Sequence, residues 1–182
     1  MTTLRSNLIA VAVLVAAGLA ACGPAAPSAN SLGTEVVVDH GDSSGDFQGK
    51  TTSLAITVKA VRTGTIDELV AGGYDLDDAQ KAKTPMYVDV RFENRGAETI
   101  DRNMRVSLED QNGDLISPVV IFDYGADPFA ACPDLATGVF KPGESFESCT
   151  LFLVPKDRPA ARVSFLPYVP GKDTDWAYWA VK

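Results

Sequence analysis

The sequence contains few of the side chains that most catalytic sites require. It has a single histidine, His40, among 182 residues, so a Ser-His-Asp or Cys-His arrangement would depend on that one residue. His40 lies in or beside a stretch of small and polar residues that predicts a flexible tether, and such a segment cannot hold a general base to catalytic tolerance. Neither a Walker loop nor a dinucleotide-binding glycine motif occurs. We therefore expect a protein without enzymatic activity and without a cofactor.

Metal-binding patterns are also scarce. Zinc and copper sites need clustered Cys, His or Met, but the chain has three cysteines and no Cys-x-x-Cys pair. Met86 and Met104 fall in strand patterns and are predicted to be core residues. Asp75, Asp77 and Asp78 resemble a fragment of a calcium loop, yet the glycine at position six and the terminal glutamate are missing. These carboxylates instead predict a helix N-cap and a solvated face, and no metal site is expected.

Positive charge is in short supply as well. The formal net charge is −8 at pH 7, and acidic residues are spread through the chain without a block of like charges. Such a surface repels phosphate backbones, which argues against a nucleic-acid partner. A hydrolase built on two carboxyl groups stays open from composition, although nothing in the spacing singles out a pair.

No apolar run is long enough to span a membrane comfortably. Residues 8–21 (LIAVAVLVAAGLAA) are apolar throughout, but a span needs about 20 residues. With Arg5 and no acidic residue before it, the run is typical of an export signal covering residues 1–21. It ends in LAACG (19–23), which resembles the lipobox of bacterial lipoproteins. The resemblance implies cleavage before Cys22 and a diacylglyceryl group on its thiol; the alternative is an ordinary cleaved signal with an incidental cysteine. We expect a lipid on Cys22 to hold the protein on the outer face of a bacterial cytoplasmic membrane.

The mature chain divides into a tether and a folded domain. Residues 22–52 are predicted to be a lipidated, mostly flexible tether, within which EVVVDH (35–40) fits a first strand or a sticky point on the tether equally well. Residues 53–182 contain seven segments with the period-two alternation of strands, which Asn112-Gly113 and Pro142-Gly143 punctuate as turns. We therefore predict an all-β, immunoglobulin-like antiparallel β-sandwich. The seven segments are LAITVKAV, MYVDVRFEN, IDRNMRVSLED, DLISPVVIF, SFESCTLFLVP, ARVSFLP and DWAYWAVK.

A long connection interrupts the strand pattern. Residues 63–84 separate the first two clear strands, and DLDDAQKAK within them predicts a short helix with Asp75 as its N-cap. Connections of this length are unusual in a small sandwich and often bind something. The alternative is a decoration that only packs.

Three motifs, in order, resemble a known family. They are YVDVRFENRG (87–96), VSLEDQNGDLISP (106–118) and FKPGESFESCTLFLVP (140–155). Residues 53–168 thereby resemble the telokin-like, immunoglobulin-fold domain of unknown function 4352, which is common in bacterial lipoproteins. The resemblance implies a β-sandwich and an extracytoplasmic location. It implies no activity, because the family has no agreed one.

Two cysteines remain once Cys22 is assigned to the lipid. Outside the cytoplasm Cys132 and Cys149 are expected to form a disulfide, which would join a loop of small and apolar residues to a strand. A loop of this size gains about 3 kcal/mol from the cross-link in the chain-entropy model. The alternative is a redox-active or metal-binding pair, for which no neighbouring histidine is present.

The candidate binding surface combines the 63–84 insertion with the cross-linked loop at 123–138. We expect it to bind an envelope protein through shape and apolar contact. The alternative is a small ligand or cell-wall glycan, which a concave aromatic-lined pocket would favour over a flat apolar patch. Near the C-terminus, alternation places Trp176 and Tyr178 on one face of a strand and Trp179 on the other. One interpretation is that one face is core and the other carries a partly exposed aromatic; the alternative is a sticky edge strand or a sugar-binding platform. The residues proposed to contact a partner are Tyr74, Tyr124, Phe129 and Trp179.

Overall fold

The structure is a computed structural model that describes residues 28–43, 45–119, 129–133 and 137–181. The predicted signal peptide, Cys22 and Tyr124 lie outside these residues. Within them, no helix has both the length and the apolar character that crossing a membrane would demand. The elements of the described part are β1 (Glu35–Gly41), β2 (Thr51–Thr63), α1 (Ile66–Ala71), α2 (Asp78–Lys81), β3 (Thr84–Asn94), β4 (Ile100–Asp101), β5 (Ser107–Asp110), β6 (Leu115–Ile116), β7 (Val139–Phe140), β8 (Ser145–Val154), β9 (Ala160–Phe165) and β10 (Ala177–Ala180).

The strands form two four-stranded antiparallel sheets and one short pair. The first sheet has the order β1-β2-β3-β8, the second has the order β10-β9-β5-β6, and β4 pairs with β7. The predicted all-β antiparallel class is therefore confirmed. The short strands β4 and β5 divide a segment that the sequence pattern treats as one strand.

The main core lies where the inner faces of the two sheets meet. The strand periodicity predicted which residues of β2 and β3 share a face, and the inner faces are the predicted ones. Burial of these side chains supplies most of the favourable free energy of folding. Core members include Leu54, Ile56, Val58, Val88, Val90, Phe92, Met104, Leu108, Phe152, Val163, Phe165 and Trp179, with Met86 packed at the margin.

The folded domain begins earlier than residue 53. EVVVDH forms most of β1, which pairs with β2 from Glu35↔Thr57 to Gly41↔Thr51. Further upstream, the Asn30 N–H donates to the carbonyl oxygen of Tyr178 at 2.8 Å. Part of the segment expected to be a tether thus belongs to the sandwich. The difference arises because Val36 and Val38 pack against the main core, which offsets the entropy of ordering this segment.

The insertion follows the second strand of the chain, β2, and carries two helices instead of one. Thr65 and Glu68 form a capping box at the start of α1, which the sequence reading missed. In α2 the N-cap is Asp77, which forms a capping box with Gln80. The prediction of Asp75 as N-cap is therefore wrong by two residues. An N-cap side chain accepts a hydrogen bond from the backbone N–H three residues later. The position of the first helical turn therefore decides which aspartate is the N-cap.

The two predicted turns are confirmed. Gly113, between β5 and β6, has φ +86°, and Gly143 has φ +79°. The Glu144 N–H donates to the carbonyl oxygen of Lys141 at 3.1 Å, which closes the Lys-Pro-Gly-Glu turn before β8. Side chains other than glycine rarely adopt such backbone angles.

Candidate functional site

The insertion and residues 129–133 of the cross-linked loop pack on the outer face of the β1-β2-β3-β8 sheet. There they bury a second hydrophobic cluster, separate from the main core. Leu69 of α1 is fully buried in this cluster, and β3 and β8 contribute side chains from the sheet. The insertion is therefore packed onto the sheet as an integral part of the fold. The buried members of the cluster are Leu69, Leu76, Tyr87, Cys132, Leu151 and Leu153.

Tyr87 links the sheet to α1 inside this cluster. Its hydroxyl donates to Glu68 Oε2 at 3.2 Å. Burial, followed by the negative charge of Glu68, raises the pKa of Tyr87 to about 12. Tyr87 is thus a neutral hydrogen-bond donor at physiological pH.

Cys132 and Cys149 form a disulfide in the structure, as the sequence analysis predicted. Cys149 lies on β8, and Cys132 lies in the loop, where it is buried. The bond holds the described part of the loop against the outer face of the sheet. The bond explains why residues 129–133 keep a defined place over β3 and β8.

Arg62, at the end of β2, ties the sheet to the same loop. Its guanidinium makes two hydrogen bonds to the carboxylate of Asp89, at 2.6 and 3.0 Å. Its Nη2 also donates to the carbonyl oxygen of Ala131 at 2.8 Å. The same group lies 5.1 Å from the centre of the Tyr87 ring, a cation–π contact. The hydrogen bonds that Arg62 donates to Asp89 raise the pKa of Arg62, so its charge is permanent.

A surface groove of about 480 Å³ runs beside this loop over β2, β3 and β8. Two ion pairs line it: Arg62 with Asp89, and Lys59 with Glu147, whose charged atoms are 2.7 Å apart. The disulfide forms part of the wall. Both signs of charge are thus presented side by side, and this arrangement suits a polar or mixed-charge partner surface. The described residues that line the groove are Lys59, Ala60, Arg62, Asp89, Val90, Ala131, Pro133, Glu147, Ser148 and Cys149.

Two of the predicted contact residues hold the covering layer together. Tyr74 and Phe129 pack edge to face with ring centres 5.1 Å apart, and Phe129 also contacts Tyr87 at 5.9 Å. Both Tyr74 and Phe129 are half-buried. They join the insertion to the loop, so only part of each ring is available to a partner. The structure thus brings these two residues together.

Trp179 does not belong to a binding surface, and that prediction is wrong. Its side chain is 0% exposed within the main core, and its Nε1 donates to the carbonyl oxygen of Thr34 at 2.8 Å. Trp176 and Tyr178 lie on the opposite face, with their rings nearly parallel at 6.3 Å. Alternation separates the two faces of β10, but it does not say which face meets the other sheet.

His40 is also placed differently from the expectation. It lies in β1 and is buried, with its ring 5.3 Å from that of Phe165. Its Nδ1 accepts a hydrogen bond from the Tyr168 N–H at 3.1 Å. Burial lowers the pKa of His40 to about 4. The only imidazole of the chain is therefore a neutral core group on the inner side of the sheet.

The charged pairs of the groove have no local signature in the sequence. The period-two pattern places Asp89 on the outer face of β3, but its partner Arg62 comes from a different strand, 27 residues earlier. Glu147 is 88 residues from Lys59. Only strand register brings these side chains together.

No protein-family model matches the chain, and no curated protein matches it in sequence. Several solved structures share its fold. MPT63, a secreted protein from Mycobacterium tuberculosis, is 14% identical with a TM-score of 0.52 over 86% of this chain and 99% of its own. The yjhA protein from Bacillus subtilis is 14% identical with a TM-score of 0.51 over 84% and 99%. The ycdA protein from Bacillus subtilis, inferred to be a lipoprotein, is 16% identical with a TM-score of 0.50 over 71% and 36%. At these identities the likeness concerns the fold alone.

Proposed function

We propose that this chain is an extracytoplasmic lipoprotein that is anchored to the membrane through Cys22 and acts as a non-enzymatic protein-interaction module. The LAACG motif after an apolar run supports the anchor. The Cys132–Cys149 disulfide supports an oxidising compartment. Two of the proteins with a similar fold, one secreted and one inferred to be a lipoprotein, fit this location. The resemblance to the domain of unknown function 4352 stays a prediction.

The groove beside the cross-linked loop carries the assignment of a binding surface. One of its two ion pairs sits at a fixed position, because Arg62 is held by Asp89 and by the loop carbonyl of Ala131. A protein partner with the complementary order of charges would be oriented by this pattern. The titratable groups here are tied to each other, and His40 is buried elsewhere, so the groove is better suited to recognition than to proton transfer.

The small-ligand alternative rests on groove size only. About 480 Å³ is within the range of small-molecule sites. However, the described residues that line the groove include no aromatic ring, and such a ring is the feature that a glycan site would use. We therefore prefer the protein partner.

Site-specific cross-linking in intact cells tests the binding surface. A photoreactive residue at position 60, which lines the groove without taking part in its ion pairs, should give a discrete adduct with an envelope protein. The same residue at position 115 is the matched control, because Leu115 is 56% exposed on the other sheet. An identical adduct pattern at both positions, or none at position 60, would count against the groove.

A charge swap sharpens the test. The double variant Lys59→Glu/Glu147→Lys keeps the ion pair but reverses the order of charges. We expect an unchanged unfolding temperature, because an exposed ion pair contributes about 0–1 kcal/mol. We also expect loss of the adduct that a photoreactive residue at position 60 forms. An adduct that persists would refute recognition by charge pattern.

The anchor has its own test. Cys22→Ala should move the protein from the membrane fraction to the soluble extracytoplasmic fraction. Cys132→Ala, which leaves the LAACG motif intact, is the control and should stay with the membrane. A Cys22→Ala variant that still sediments with membranes would contradict the lipid anchor.

A further inference from the structure

The folded domain begins close to the residue proposed to carry the lipid. Asn30 already belongs to the sandwich, because it forms a parallel bridge with Trp179 and its N–H donates to the carbonyl oxygen of Tyr178 at 2.8 Å. Ser28 comes only six residues after Cys22, and a chain of that length spans at most about 22 Å when fully extended. A lipid on Cys22 would therefore hold this side of the domain close to the membrane surface.

The direction of the chain points to one end of the domain. Because Asn30 pairs with β10 in parallel, the two described residues before it run beside the beginning of β10. The residue immediately before β10 is Trp176. From the sandwich toward Cys22, the chain thus leads to Trp176 and to the connection between β9 and β10 (166–176).

The β9–β10 connection exposes three large apolar side chains. Leu166, Tyr168 and Trp176 are 48%, 42% and 36% exposed. The pair Ala177↔Phe165 is the last one of the ladder between β9 and β10, so Leu166 and Trp176 follow it at the same level on the two arms of the connection. Trp and Tyr favour the interface between membrane and water, because each combines an apolar ring with one polar N–H or O–H group.

The charges of the same connection do not favour anionic lipid. Lys172, Asp173 and Asp175 are all exposed, and a surface with both signs of charge gains little from a negatively charged leaflet. Attraction to the membrane must therefore come from the rings. Because the anchor makes this contact intramolecular, a weak affinity of the rings for the interface is sufficient.

We propose that the β9–β10 connection docks on the membrane surface, with Tyr168 and Trp176 at the level of the lipid headgroups. The inference rests on the proposed anchor at Cys22. It also sets the orientation of the domain. The Gly41 N–H donates to the carbonyl oxygen of Tyr168 at 2.8 Å, and Gly41 pairs with Thr51, the first residue of β2. The insertion follows the last residue of β2, so it faces away from the membrane, toward an envelope partner.

Tryptophan fluorescence tests this docking surface, because the chain has two tryptophans and Trp179 is fully buried. The full chain is produced in a bacterium, purified from its membranes and reconstituted into phosphatidylcholine vesicles whose acyl chains carry bromine near the glycerol. Bromine should quench part of the wild-type emission, and Trp176→Phe should lose that quenching. The matched control is Val70→Trp in the Trp176→Phe background. It places a tryptophan on α1 at the opposite end, where Val70 is 50% exposed, and it should not be quenched.

The other outcomes overturn the docking surface in distinguishable ways. Wild-type protein that floats with the vesicles but is not quenched would refute docking and leave the anchor intact, as would equal quenching at positions 176 and 70. Quenching that requires added phosphatidylglycerol and vanishes at high salt would identify charge attraction instead of ring contact. A Trp176 emission maximum that shifts with protein concentration in detergent, and not with lipid, would place a second copy on this surface. Protein that does not float with the vesicles would refute the anchor itself, and with it the proposed function.

Discussion

Replacing His40 by asparagine should remove much of the acid sensitivity of this fold. The imidazole is buried in the main sheet, and Nδ1 must be unprotonated to accept the hydrogen bond from the Tyr168 N–H. Protonation would place a second proton in that contact and a charge next to the Phe165 ring. Burial accordingly lowers the pKa of His40 from 6.5 to about 4. Asparagine can present an amide oxygen close to the position of Nδ1 and does not titrate.

The direction of the pH effect on stability follows from the protons that the folded and unfolded chains bind. Between pH 6.5 and 4 the unfolded chain binds a proton at His40 and the folded chain does not, so acid favours unfolding. The contribution of neutral His40 to the free energy of unfolding is complete above pH 6.5 and is lost as the pH falls toward 4. From pH 7.5 to pH 5 this one group should lower the free energy of unfolding by about 2 kcal/mol.

Chemical denaturation of both proteins at pH 7.5 and pH 5 measures this quantity. Any cavity left by asparagine destabilises the variant at both pH values and cancels in the comparison, as does the titration of carboxylates such as Asp42. We expect the wild type to lose about 2 kcal/mol more than His40→Asn between the two pH values. Equal losses in the two proteins would refute the claim that a buried neutral imidazole controls this transition.

Two further predictions concern the layer that covers the outer face of the sheet. Replacing both Cys132 and Cys149 by serine should lower the free energy of unfolding by about 3 kcal/mol, measured by denaturant titration; an unchanged midpoint would contradict a stabilising cross-link. Leu69→Ala should cost about 2–5 kcal/mol, because the side chain is fully buried in the second cluster. The neighbouring control Val70→Ala, at a side chain 50% exposed, should change stability by less than about 0.5 kcal/mol, and similar effects at the two positions would indicate that the insertion is not packed as described.

The elements that could be predicted are those set by neighbouring residues. Alternation in β3 separates Val88 and Val90 from Tyr87 and Asp89, because successive side chains of a strand point to opposite faces. The turn at Gly113 is a local backbone requirement. Such features depend on a few consecutive residues, so the sequence carries them without knowledge of the rest of the chain.

The candidate site depends on contacts between distant strands and was therefore largely missed. The pair of Lys59 with Glu147 exists because β2 and β8 flank β3 in register. The sequence analysis did anticipate that the insertion and the disulfide loop would share one surface. It did not anticipate that Tyr74 and Phe129 would pack against each other, since ring packing is decided by the space left between the two segments.

By itself the sequence determined the period of the strands, the positions of the tight turns and the pairing expected of Cys132 with Cys149. Tertiary structure alone decided that Trp179 points inward, that β1 joins the sheet, and that Asp42 is buried. A period-two pattern is symmetric with respect to its two faces. Only packing against a second sheet decides which face is buried. Here Trp179 Nε1 donates to the carbonyl oxygen of Thr34, which is 145 residues away in the sequence.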